Sequence, residues 1–220
     1  MQPELIYQKL LLKVNKGNTE FNIALDKPRA VLIINEVKNR WVESHIKDKD
    51  SILIDSLQEV VKTAEFLVGA DKGTYIEYEI PFDFYEDILV SCEVQREKCK
   101  KTIYSREIKN QNQNILLFDS NQEPDFDFEW TFHQIMSSTL RVFVKDFKIN
   151  KVTFTYYSVI PEFDIEGYVD INGNPSTNKP IELSDQYVDQ IINLAAEEYM
   201  RDFQSSIGLQ IAQNRTSSQE

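Results

Sequence analysis

The stretch Val152-Thr153-Phe154-Thr155-Tyr156-Tyr157 decides the fold class. Every residue in it is β-branched or aromatic, the types that fit a pleated, half-buried surface, and successive side chains there point to opposite faces. Working outward, the same period of two recurs. Ile76, Tyr78 and Ile80 alternate with Tyr75, Glu77 and Glu79, and Ile88, Val90, Cys92 and Val94 alternate with Leu89, Ser91, Glu93 and Gln95. Residues 140–147 and 152–160 read as two arms of a hairpin turning around residues 148–151. With about seven strand candidates and turn signals between them, the span from Thr63 to Tyr168 predicts a compact antiparallel sandwich or barrel.

On both sides of that span the period changes to 3.6. Pro3 opens a first helix carrying Leu5, Ile6, Leu10, Leu11 and Val14, which Asn15 and Gly17 stop. Asp26 and Pro28 mark the start of a second, with Ala30, Ile33, Ile34, Val37 and Trp41 on its apolar face and Glu36, Lys38, Asn39 and Arg40 on the wetter one. Leu53, Leu57 and Val60 predict a third, short helical segment. After a loop at Asn172, Gly173, Asn174 and Pro175, Ser184 or Asp185 caps a final helix whose apolar positions are Val188, Ile191, Ile192, Ala195, Ala196, Tyr199 and Phe203. The predicted class is α+β: N-terminal helices (1–62), a central antiparallel β-sandwich or barrel (63–170), a C-terminal loop and amphipathic helix (171–212) and a mobile polar tail (213–220).

Composition limits the function. With 220 residues, 41% hydrophobic and 27% charged, the chain has enough apolar material for a core. Its net charge is −12, and the segments 1–60, 61–110, 111–150 and 151–220 carry nets of 0, −2, −3 and −7. A surface of that sign repels a polyanion, which disfavours nucleic-acid binding. No apolar run approaches the roughly 18 to 20 residues of a membrane span, and no basic-then-apolar leader opens the chain. Cys92 and Cys99 are too few for a disulfide framework and wrongly spaced for a zinc knuckle, so both are expected as thiols, Cys92 buried.

The sequence offers no catalytic or metal motif. Neither His45, at a helix end, nor His133, read as lying in a loop ahead of a strand, has a triad or zinc-helix context, so alanine at either position is expected to be tolerated. The glycines stand singly, so no phosphate-cradling loop forms and no cofactor is expected. Around Gly173, Asp170, Asn172 and Asn174 resemble a calcium loop, but Tyr168 and Lys179 occupy positions that need acids. In an extended segment, Asp125, Asp127 and Glu129 would share one face and Phe126, Phe128 and Trp130 the other, read as a solvated strand or loop anchored by its aromatics, with a weak metal site as the alternative. Lys98, Lys100, Lys101, Arg106 and Lys109 form a single basic cluster interrupted by Tyr104, read as a solvated hairpin, with a phosphate contact as the alternative.

Two stretches carry a family resemblance. The order VTFTYYSVIP, DIEGYVDINGNP, IELSDQYVDQIINLAAEEYMRD resembles the C-terminal part of virion connector proteins of tailed bacteriophages, particularly those of crAss-like phages. FNIALDKPRAVLIINEVKNRWVESHI, a short strand leading into a helix, is similar to the same group. The resemblance implies a non-enzymatic virion structural protein, assembling with itself as a ring, twelve-fold in expectation. The ring would contact the portal or neighbouring neck and tail rings, and DNA would pass through it without specific binding. On this reading Val188, Ile191, Ile192, Ala195, Tyr199 and Phe203 are candidate partner-binding residues, and Asp164, Glu166 and Asp170 candidate lumen-facing acids. The alternative is a carbohydrate- or host-receptor-binding β module, which exposed aromatics would favour. A third reading is an enzyme whose carboxylates meet only in the fold.

Overall fold

Ile6, Leu10 and Val14 recur every fourth residue, and the chain there is helix α1 (Pro3–Lys16), with all three side chains buried. This computed structural model describes residues 1–16, 25–47, 55–108, 123–170 and 173–217, with only the backbone of 16, 47, 55–56 and 203–217. Helix α2 (Lys27–Lys47) starts where Asp26 and Pro28 place it, the Asp26 carbonyl accepting the Ala30 N–H at 3.0 Å. It buries Ala30, Ile34, Val37 and Trp41. Helix α3 (Asp185–Ser217) begins after Ser184, whose carbonyl accepts the Val188 N–H at 3.1 Å, and both α1 and α2 pack on it. Its 33 residues span about 50 Å. The helix runs through Gly208 and takes in residues 213–217 of the polar tail that the sequence reading sets apart from Gln213. A glycine costs only about 1 kcal/mol in a helix interior, and the following Leu209, Gln210, Ile211 and Ala212 favour continuation.

Residues 1–59 and 160–220 form one compact unit and 60–159 another. The sequence reading carries the β region on to residue 170, but Ile160, Phe163 and Ile165 are buried within the helical unit. Two side chains of α2 hold that segment. Asn35 donates Nδ2 to the Phe163 carbonyl at 2.8 Å and accepts the Phe163 N–H on Oδ1 at 2.8 Å, satisfying an extended backbone as a neighbouring strand would. Lys38 donates Nζ to the carbonyls of Pro161 at 2.7 Å and Ile160 at 3.3 Å. Only 1% exposed, Lys38 belongs to the core and not to the wetter face assigned to it, because its long stem reaches past the helix surface to the two carbonyls. Burial pushes its ammonium down to about 8, with Glu162 opposing.

Leading into the β unit, Asp55–Val60 is a 3-10 turn where the spacing predicts a short α-helix; Leu53 lies outside the described residues. Eight strands follow: β1 (Val61–Phe66), β2 (Ala70–Asp71), β3 (Tyr75–Glu79), β4 (Phe84–Arg96), β5 (Cys99–Glu107), β6 (Trp130–Met136), β7 (Thr139–Phe143) and β8 (Lys148–Ser158). They form one curled sheet, a half-barrel, in the order β1-β8-β4-β5-β6-β7-β3-β2. All pairs are antiparallel except β5 with β6, which run parallel from Tyr104↔Trp130 to Glu107↔His133. A parallel pair needs a long crossover, here residues 108–129.

Rolling follows from chain length. Flat, the sheet would hold its edges roughly 34 Å apart, seven spacings of about 4.8 Å. Yet β1 and β2 are the two edges, and Leu67, Val68 and Gly69 alone join them, a reach of at most about 14 Å. The edges must therefore curl together, and the rings of Phe66 on β1 and Tyr78 on β3 meet with centroids 5.4 Å apart. Val152, Phe154 and Tyr156 point into the enclosed core with Val90, Cys92, Val94, Ile103, Leu140 and Val142. Phe154 stacks on Phe84 at 5.5 Å and on Tyr156 at 5.3 Å. Burial pushes the Cys92 thiol up to about 12, so it is inert, whereas Cys99 is exposed.

Two expectations fail here. Strands β7 and β8 do not form a hairpin: β7 lies between β6 and β3, β8 lies between β1 and β4, and residues 148–151 belong to β8 itself. The segment between them is a crossing and not a turn, pinned by Phe147 against Phe126 at 6.4 Å. Ile88 is exposed and not in the core, because the β4–β8 register shifts between Asp87 and Leu89 and leaves Ile88 as the extra residue of a bulge.

A Cβ at Gly69 would lie 2.5 Å from Ile76 Cγ2, 2.6 Å from Tyr78 Cε1 and 2.8 Å from the Glu77 carbonyl. Gly69→Ala is expected to cost about 1–3 kcal/mol, read as a lower urea midpoint at unchanged slope. Lys38 gives a pH signature. Its folded pKa lies below its unfolded one, so between about 8 and 10.5 the unfolded chain binds the extra proton and stability rises with pH. Urea midpoints measured across that window are expected to rise less in Lys38→Met than in the wild type.

Candidate functional site

The acidic–aromatic stretch from Asp125 to Trp130 is not extended. The N–H of each of these two residues donates to the other's carbonyl, at 3.0 and 3.2 Å, closing a tight loop. Asp125 Oδ1 accepts the N–H of Asp127 at 2.6 Å and of Phe128 at 2.9 Å, an Asx turn that overrides strand alternation. Glu129 sits at φ 63°, a left-handed conformation costly for a side chain with a Cβ and held by this closure. The predicted two-faced arrangement is therefore replaced. Phe126 turns inward under the Arg96 guanidinium and the Lys101 ammonium, 4.5 and 4.3 Å from its centroid, while Phe128 stands 81% exposed at the tip.

Each carboxylate of the loop has a partner within the chain. Asp127 meets Arg96 at 2.5 Å, which holds its carboxyl below the usual carboxylate range, and Arg96 also meets Asp146 at 2.7 Å. Glu129 meets Lys101 at 3.2 Å. Beside the loop, strand β5 alternates inward Ile103 and Ser105 with outward Tyr104 and Arg106. Tyr104 is in register with Trp130, and the Arg106 guanidinium lies 5.0 Å from the Trp130 ring centroid. Tyr104, Arg106, Phe128, Glu129 and Trp130 line an open cleft of about 470 Å³. Of the basic cluster, Lys98 and Lys100 are exposed, Lys101 and Arg106 are used here, and Lys109 lies outside the described residues.

A second constellation lies on the inner face of the curled sheet. His133 is in strand β6, not in a loop, and is 2% exposed. Its Nδ1 is 2.9 Å from Ser105 Oγ and its Nε2 is 3.4 Å from Asp87 Oδ2. Ser, His and Asp are the residue types of nucleophilic catalysis, but a nucleophile must reach substrate. Ser105 is 8% exposed, so the chain of contacts ties β4, β5 and β6 together in the interior. His45 instead lies against Trp41, with ring centroids 3.8 Å apart and Nδ1 2.7 Å from the Trp41 carbonyl.

The candidate partner-binding residues Val188, Ile191, Ile192, Ala195 and Tyr199 are buried inside the helical unit. They are its core and not an exposed contact face, because α1 and α2 cover that side of α3. The side chain of Phe203 lies outside the described residues. The candidate acids serve their own loop. Asp164 accepts the Tyr168 hydroxyl at 2.6 Å and the N–H groups of Ile165 and Thr177 at 2.9 Å. Burial works to raise its pKa, and these bonds outweigh that and lower it. Asp170 accepts the Asn174 N–H at 2.8 Å across the turn at Gly173, and Glu166 accepts Asn178 Nδ2 at 3.2 Å.

Among the described residues, no group of three or more His, Cys, Asp or Glu side chains is placed to hold a metal ion, and no helix is long and apolar enough to cross a membrane. No protein-family model matches the chain, and no curated protein matches it in sequence.

The burial of His133 reverses the expectation that its loss is harmless. His133→Ala is expected to destabilise the β unit by about 1–3 kcal/mol, by removing a hydrogen-bonded side chain from a closed interior. Thermal unfolding checks this, with His45→Ala close to wild type as the comparison.

Proposed function

We propose that the chain is a structural subunit of a tailed-phage virion, one protomer of a closed ring, twelve-fold in expectation, in the portal–neck–tail connector. The observation that carries the reading is where the two resembling stretches fall. Residues 21–46 and 152–202 are separated by nearly half the chain, yet all but 152–159 of the described ones belong to a single compact unit. The two stretches that carry the resemblance thus lie largely in one body of this chain, which is how a single subunit would present them.

Charge supports the same reading. The segment 151–220 carries a net of −7, and a channel lining of that sign lets a polyanion pass without holding it. Rings close through heterologous contacts in which different faces of one subunit meet, and the exposed side chains of Leu5, Leu12 and Leu32 on α1 and α2 offer apolar area for such contacts. In this reading the protein acts in the neck or tail of the virion, with itself, the portal or adjacent rings as partners, and performs no catalysis.

Negative-stain imaging with light scattering over a range of concentrations tests it. Closed rings are expected, with duplex DNA unretarded at low salt. A monomer at every concentration, alone and with a portal protein added, overturns the ring reading.

A further inference from the structure

We propose that the cleft between the 125–130 loop and strand β5 binds an acidic saccharide: a pyranose ring lies on the exposed faces of Tyr104 and Phe128, and its carboxylate meets Arg106. The proposal does not depend on the ring reading, and its test is separate.

The lining selects the ligand class. Tyr104, Phe128 and Trp130 are flat aromatic surfaces, and among the described residues no branched aliphatic side chain joins them. A lipid tail or an apolar helix face would be met by Leu, Ile and Val, whereas the C–H face of a pyranose packs on a flat ring and leaves its hydroxyls at the rim. Tyr104 at 61% and Phe128 at 81% exposure are held out to solvent, unlike Phe126 two residues earlier, which is in the core. At about 470 Å³ the cleft falls within the range of roughly 300–1,000 Å³ typical of small-ligand sites.

The polar groups select the charge. Arg106 makes no ion pair with any described residue, and its stacking on Trp130 leaves the edge of the guanidinium fork available for a carboxylate. Among the described lining residues the one carboxylate, on Glu129, is neutralised by Lys101 and remains an acceptor for sugar hydroxyls. The cleft is therefore locally positive on a chain of net −12, which favours an anionic ligand over a neutral one.

Preorganisation lowers the cost of binding. The Asp125 turn, the paired backbone bonds to Trp130 and the Arg96–Asp127 and Lys101–Glu129 pairs fix the loop before any ligand arrives, so little side-chain or backbone freedom is lost on contact.

Titration calorimetry with tetragalacturonate, its methyl ester and an acidic peptide of equal charge tests this on the full chain. Tetragalacturonate is expected to bind with a dissociation constant near about 1 mM or tighter. Its ester, which keeps the ring and loses the charge, is expected to bind at least about ten-fold more weakly. Arg106→Gln removes the difference between acid and ester, and Phe128→Ala abolishes binding of both with the circular dichroism spectrum unchanged. Absence of heat up to about 10 mM, equal binding of acid and ester, or binding that survives both substitutions overturns the proposal. Preference for the peptide overturns the ligand class.

Discussion

A three-residue link fixes the shape of the β unit. Because Leu67, Val68 and Gly69 must join the two edges of an eight-stranded sheet, the sheet cannot lie flat, and its inner face becomes an enclosed core. The close approach of Gly69 to Ile76 and Tyr78 is the local cost of that closure. Everything inside depends on it: the stack of Phe84, Phe154 and Tyr156, the inert Cys92 thiol, and the tie from Asp87 through His133 to Ser105. Outside, the long crossover that the β5–β6 parallel pair requires ends in the rigid loop that presents Phe128.

The pairing of β1 with β8 makes the β unit an insertion. Its first and last strands are neighbours, Val61 paired with Tyr157, and Ser158 Oγ donates to the Val60 carbonyl at 3.1 Å. The chain thus enters and leaves at adjacent points, and residues 1–59 and 160–220 form the other unit. Within that unit Asn35 and Lys38 do for the 160–163 backbone what strand pairing does elsewhere. A cation in such a place is kept by the two carbonyls it satisfies, at the expense of the desolvation that lowers its pKa.

Legibility followed the range of the interaction. The inward face of α3, from Val188 to Tyr199, was readable because helical spacing is local, but spacing does not say whether the covering surface is α1 and α2 or a neighbouring subunit. Phe126, Phe128 and Trp130 were visible as an aromatic series, yet their directions depend on the Asp125 side chain capping two N–H groups, which competes with strand alternation. Ser105, His133 and Asp87 carry no shared spacing at all, and only the register of β4, β5 and β6 brings them together.

The sequence by itself determined the α+β class, the starts of all three helices and the strand at Val152–Tyr157, because capping, helical period and β propensity act over a few residues. The tertiary structure decided which strands pair, the parallel step between β5 and β6, the burial of Lys38 and His133 and the exposure of Phe128. These depend on contacts between residues far apart in the chain, whose free energy is set by what closes over them.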